Sequence, residues 1–195
     1  MRILRFDNAT KVLHWSHALV FIWLLITGMY LFFTPKSLLG DPFIKKVHVY
    51  ASLPFILSPL IIYLLGKSTR NDIKELMEWT YDDMKWFIGF LKQNKIVSKG
   101  KFNAGQKANF LMTLLIITGL SITGFVVWMK SMFSRSFVEL NFIVHDSLAI
   151  LSILLLSGHI ILAMYYRESL KSIIYGTLDA AWAKEHYPDW FLKQN

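Results

Sequence analysis

The sequence predicts an all-α integral membrane protein: a four-helix bundle with both termini in the cytoplasm and an amphipathic cytoplasmic loop helix between the second and third spans. Three observations carry this. Of 195 residues, 54% are apolar and 15% aromatic, and the mean hydropathy is +0.42, too apolar for an ordinary soluble domain. Four runs are each long enough to cross a hydrocarbon core of about 30 Å, which takes roughly 20 helical residues. Lysine and arginine segregate between the connections, so membrane orientation explains the formal charge of +8 better than nucleic acid does. A single membrane domain over residues 1–195 is the expected organisation.

The first span is expected at about 14–33 ("HWSHALVFIWLLITGMYLFF"). It lacks a small-residue cleavage site and exceeds the length of a signal-peptide core, so it reads as a retained helix. The second, at about 48–66 ("HVYASLPFILSPLIIYLLG"), holds Pro54 and Pro59. Each proline clashes with a carbonyl one turn earlier, which predicts a bent helix whose freed groups find partners within the bundle. The third and fourth spans are expected at about 108–129 ("ANFLMTLLIITGLSITGFVVWM") and 142–166 ("FIVHDSLAILSILLLSGHIILAMYY").

In such a topology the N-terminus, the 67–107 connection and the tail share one side and carry sixteen of the 21 lysines and arginines. Lys36, Lys45, Lys46, Lys130 and Arg135 fall on the other. The positive-inside rule then puts both termini in the cytoplasm. Within the long connection, "DIKELMEWTYDDMKWFIGFLKQ" places Ile73, Leu76, Met77, Trp86 and Phe90 at helical spacing among charges, the pattern of one amphipathic helix along the membrane surface.

The chemistry follows from histidine. There is no cysteine, which excludes disulfides, thiolate-held iron–sulfur clusters and covalently attached haem. His145 and His159 lie fourteen residues apart in the fourth run, so they leave a helix on nearly one face, about 21 Å apart along its axis. Polar residues at such depth are costly and face the bundle interior. His14 starts the first span on the cytoplasmic side and His48 the second span on the outer side. Two cross-helix pairs result, His14 with His159 and His48 with His145. Two neutral imidazoles on opposite faces of a porphyrin fill both axial positions of its iron, which then passes single electrons and has no open site for substrate. The pattern therefore predicts two bis-histidine b-type haems. His17 sits one turn beyond His14, and spacing leaves either as the ligand. A zinc site lacks the third and fourth ligands that zinc takes. Gly28, Gly119, Gly124 and Gly158 leave room for a macrocycle or a neighbouring helix.

With "RFDNATKVLHWSH", "KKVHVYASLPF", "KFNAGQKANF", the His145 and His159 spacing and the tail "SIIYGTLDAAWAKEHYPDWF", the chain resembles the cytochrome b (gamma) subunit of respiratory formate dehydrogenases. That family lies within the larger group that includes the b-type cytochromes of nickel–iron hydrogenases. The resemblance implies that the histidine of "LHW", His14, is the ligand, with His17 in helix packing. It implies menaquinone or ubiquinone reduced near the cytoplasmic haem, with Asn103, Gly105 and Gln106 lining the site; the bare residues also read as a turn before a helix. It further implies an outer-side catalytic dehydrogenase subunit, an iron–sulfur (beta) subunit with a membrane anchor helix, and residence in the bacterial inner membrane. Lys36, Lys45 and Lys46 read as partners of haem propionates or of an acidic partner surface, or as snorkelling anchors, and His186 as a surface residue near the partner's anchor helix. The competing readings are a hydrogenase-type or other quinone-linked cytochrome, and a membrane anchor with structural haems and no quinone site. A haem-free transporter is a third; it is disfavoured because Asp146 is the lone acid within a span and no internal repeat is evident.

Overall fold

The structure, a computed structural model, describes residues 1–34, 42–92 and 97–194, without the side chains of residues 42, 62, 65 and 91. Lys36 and Lys95 lie outside the described residues. In chain order the elements are β1 (Arg2–Leu4), α1 (Asn8–Phe33), α2 (Pro42–Leu65), α3 (Lys67–Met77), α4 (Tyr81–Leu91), α5 (Ala104–Trp128), a 3-10 turn (Lys130–Met132), α6 (Arg135–Tyr165), α7 (Arg167–Tyr175), β2 (Thr177–Asp179), α8 (Ala180–His186) and α9 (Pro188–Leu192). The described chain is thus almost wholly helical. The helices α1, α5 and α6 are long and apolar enough to cross a membrane. The chain divides into two compact units, one of Met1–Val12, Tyr63–Met112 and His159–Asn195, the other of Leu13–Ile62 and Thr113–Gly158.

In the second unit, the long-helix unit, apolar side chains point outward and small polar ones inward. Leu19, Ile26, Ile143 and Leu154 are exposed, while Thr27, Thr123, Asn141 and Ser152 are buried. A helix that is apolar all round has lipid as its natural surroundings. The buried hydroxyls bond to their own helices: Ser152 Oγ donates to the Ala149 carbonyl at 2.7 Å, and the Asn141 amide donates to the Phe137 carbonyl at 2.9 Å. Helix α2 keeps Pro54 and Pro59 inside it. Pro59 has no N–H for the carbonyl of Phe55. At that turn the His17 ring stacks on Phe55 with 4.5 Å between centroids and lies 3.4 Å from Ser58 Oγ. His17 thus packs where proline interrupts the helical bonding.

The first unit is folded by the chain ends. β1 pairs antiparallel with β2, Ile3 opposite Leu178. Gly176, at φ +80°, ends α7, and its carbonyl accepts the amides of Arg5 (2.8 Å) and Phe6 (3.0 Å). A Cβ there would fall 2.7 Å from the Phe6 carbonyl oxygen, so the close approach requires glycine. Leu178, Ala183, Tyr187 and Trp190 form its core. Asp179 caps α8 by accepting the Trp182 amide, and Asp7 caps α1 by accepting the Thr10 amide at 2.8 Å. That bond holds the Asp7 carboxyl below its ordinary range.

The 72–93 segment departs from the single amphipathic helix expected of it. It breaks between α3 and α4, where the Asp83 carboxylate accepts both the amide and the hydroxyl of Thr80 and so starts a new helix. Two ion pairs are buried nearby: Lys107 with Asp83 at 2.9 Å and Lys101 with Asp72 at 2.6 Å. Burial of charge requires pairing of this kind. His186, expected at the surface, is half-buried, stacked 4.0 Å from Trp182.

Removing Asp83 leaves the Lys107 ammonium, 6% exposed, without its carboxylate. Asp83→Ala is expected to destabilise the first unit by about 3–5 kcal/mol, read as earlier proteolytic nicking of the 67–107 connection on a temperature ramp. The double variant Asp83→Leu with Lys107→Met should recover most of the loss.

Candidate functional site

The site in the long-helix unit begins with a Thr-Gly step on each of two helices. Within α1, Thr27 Oγ1 donates to the carbonyls of Trp23 (2.9 Å) and Leu24 (3.2 Å). Within α5, Thr123 Oγ1 donates to those of Gly119 (2.7 Å) and Leu120 (3.3 Å). A hydroxyl has one proton, so each oxygen can then only accept from a further neighbour. That neighbour is an imidazole. His48 Nδ1 of α2 lies 2.8 Å from Thr27 Oγ1, and His145 Nδ1 of α6 lies 2.9 Å from Thr123 Oγ1. Facing an acceptor, Nδ1 carries the proton, and Nε2 is left with the lone pair that a metal ligand needs.

The glycine of each step admits its ring. A Cβ on Gly28 would lie 3.4 Å from His48 Cε1, and one on Gly124 would lie 3.2 Å from His145 Cε1. Gly119 instead faces Leu148, and Gly158 has nothing within 4 Å.

The two rings face one another with 6.5 Å between centroids and 74° between planes. A metal bonded at about 2 Å to a nitrogen of each ring, with about 1.1 Å from nitrogen to ring centre, spaces two imidazoles by about 6 Å. The observed gap is wide enough for one metal to be held between the two imidazoles. Among the described residues no group of three or more His, Cys, Asp or Glu is placed to hold a metal ion. The structure thus brings together His48 and His145 as the spacing expects. His14, in the same unit, packs edge-on to Trp15 at 5.3 Å. His159 lies on α6, fourteen residues beyond His145.

In the first unit the segment expected to line a quinone site forms the N-terminus of α5. The Asn103 amide donates to Gln106 Oε1 at 3.1 Å, and the Gln106 amide donates to Asn103 Oδ1 at 2.8 Å. This is a reciprocal cap. Both side-chain oxygens are engaged in it, which makes the side-chain NH₂ groups the donors toward any ligand. Asn103 Nδ2 is 3.5 Å from the hydroxyl of Tyr187, itself 3.5 Å from Gln106 Oε1. Arg5 lies 4.6 Å over the Tyr187 ring. Gly105 admits Trp86, whose Cη2 would be 3.1 Å from a Cβ.

Thr27, Thr123 and Tyr187 are absent from the set expected from sequence. A signal for the threonines exists: "ITG" at 26–28 and 122–124 precedes a histidine by 21 and 22 residues, counted from threonine. A further copy at 117–119 has none at that distance. This short repeat escapes a search for whole-domain duplication.

Comparison with known proteins finds relatives along nearly the whole chain. The formate dehydrogenase cytochrome b556 subunit of Haemophilus influenzae is 27% identical over 208 residues, covering 99% of this chain and 84% of its own length. The nitrate-inducible formate dehydrogenase cytochrome b556(Fdn) subunit of Escherichia coli (strain K12) is 23% identical over 202 residues, covering 97% and 90%. The cytochrome b556(fdo) subunit of the same strain is 23% identical over 200 residues, covering 97% and 92%. The family model described as prokaryotic cytochrome b561 matches residues 5–176. Because that match runs through both threonine-held histidines and every long helix, the chain belongs to the prokaryotic cytochrome b561 family.

Proposed function

We propose that this chain is the membrane-anchoring, di-haem b-type cytochrome subunit of a formate dehydrogenase complex of the bacterial inner membrane. It carries electrons from a dehydrogenase on the periplasmic side to a quinone near the cytoplasmic face. The observation that carries the reading is the His48–His145 pair, whose spacing and protonation suit one iron. Membership of a cytochrome b family implies haem b, and the relatives' names point to formate as the primary reductant. The same names point to a formate dehydrogenase complex as the partner, and the family resemblance adds a catalytic subunit and an iron–sulfur (beta) subunit with a membrane anchor helix. In this reading α2 is the fourth span, the four spans form one bundle within a single domain, α3 and α4 lie along the cytoplasmic face, and both termini are cytoplasmic.

A bis-histidine haem b supplies one-electron transfer with no open coordination position. His48 and His145 hold the periplasmic-side group through Nε2. His14 and His159 hold the cytoplasmic-side one, a pairing that rests on their matched depth in sequence and on the family resemblance. His17, stacked on Phe55, stays in packing. At the start of α5, Asn103 and Gln106 direct their NH₂ groups to a carbonyl of menaquinone or ubiquinone, with Gly105 between them at the edge of the site. Protons for the reduced quinone come from the cytoplasm, so electron transfer and proton uptake end on one side.

Two outcomes are expected. In the purified complex, His48→Ala and His145→Ala should each lower the haem content from two per chain to one, and the haem lost should be the same. His14→Ala and His159→Ala should remove the other, and His17→Ala should keep both. Spectra and redox titration distinguish the two haems, and any other grouping of losses overturns the pairing.

Asn103→Asp and Gln106→Glu keep the oxygens of the helix cap but replace the NH₂ donors. Each variant should retain both haems and their reduction by formate, while re-oxidation by added quinone slows about tenfold or more. That is the size expected from losing a hydrogen bond to an oxygen on which charge builds. Unchanged stopped-flow re-oxidation in both variants would move the quinone elsewhere.

A further inference from the structure

The Thr-Gly steps of α1 and α5 are built alike, and the reading above does not use them. In each, a threonine inside an apolar helix spends its proton on a carbonyl of the preceding turn and turns its oxygen toward a histidine on the next helix. In each, the following glycine leaves the space that the ring occupies. Thr27 is 5% exposed and Thr123 6%, so no water competes for either bond.

Helix packing alone would not require this chemistry. Valine fills the volume of threonine, and an apolar residue avoids the cost of a hydroxyl in hydrocarbon. The same two-residue solution recurs at His48 and at His145, on different helices and in slightly different registers. We propose that Thr27 and Thr123 are paired positioning residues. Each fixes the Nδ1–H tautomer of its histidine and raises the basicity of Nε2, and together they set the redox potential of the periplasmic-side haem.

The inference rests on the proposed ligation by His48 and His145. An acceptor on Nδ1–H makes an imidazole a stronger donor to metal, which favours ferric over ferrous iron and lowers the potential. The two threonines act on the two axial ligands of one iron, so their effects should add. Gly28 and Gly124 serve the same end by letting the ring approach its threonine.

The test uses the whole complex, with redox titration of each haem followed optically and by electron paramagnetic resonance. Thr27→Val and Thr123→Val should each raise the midpoint potential of the periplasmic-side haem by about 59 mV, a tenfold change for a one-electron couple. The double variant should move it by about twice that, and the other haem should not move. Thr27→Ser and Thr123→Ser, which keep the acceptor oxygen, should restore the original potential and low-spin spectrum. Loss of the haem in the valine variants with retention in the serine variants also supports the role.

An unchanged potential in fully loaded valine variants overturns it, as does equal damage by valine and serine, which would mark packing. If His48→Ala and His145→Ala remove no haem, the ligation reading itself fails. If they do remove one while the threonine variants change nothing, only the present inference fails.

Discussion

A polar group placed in hydrocarbon must find its partner within the chain, because neither lipid nor water will supply one. The long-helix unit is organised by that requirement. His48 and His145 bring four ring nitrogens into an apolar setting, and Nδ1 of each ring meets a threonine oxygen. The lone pair is then left on the other nitrogen of each ring, and the ring centroids lie 6.5 Å apart. The partner of one nitrogen thus decides the donor character of the other.

The same requirement bears on His17. Pro59 leaves the Phe55 carbonyl without its helical donor, and at that turn the His17 ring stacks on the Phe55 side chain and meets Ser58 Oγ at 3.4 Å. The histidines of this unit therefore differ by partner. His48 and His145 meet threonine oxygens, whereas His17 stacks on Phe55 and His14 packs edge-on to Trp15. A count of histidines treats them as equals, whereas their hydrogen bonds do not.

The first unit meets the requirement with charge rather than with hydroxyls. Lys101 and Lys107 are buried against Asp72 and Asp83, and Asp83 also starts α4 through Thr80. Tyr187 of the tail touches both Asn103 and Gln106, so the "FNAGQK" and "HYPDW" segments belong to one structure. Their joint appearance as family marks has a physical basis in that contact.

Much of this was legible in the sequence. Composition and run length determined a helical membrane protein, because a bilayer admits few alternatives. The helical period determined that His145 and His159 share a face, and depth matched His48 to His145. Local pattern was less decisive where tertiary partners intervened. The 72–93 segment has one continuous amphipathic period, yet it breaks because Asp83 is drawn to both Thr80 and Lys107. The tail reads as surface, yet Leu178 and Tyr187 form a core with residues at the opposite end of the chain. His14 and His17 have nearly equal claims by spacing, and only the family resemblance favours His14. The roles of Thr27 and Thr123 were decided by tertiary structure alone. A threonine within an apolar helix bonds to its own backbone wherever it sits, and only the neighbouring helix determines whether its oxygen then meets an imidazole.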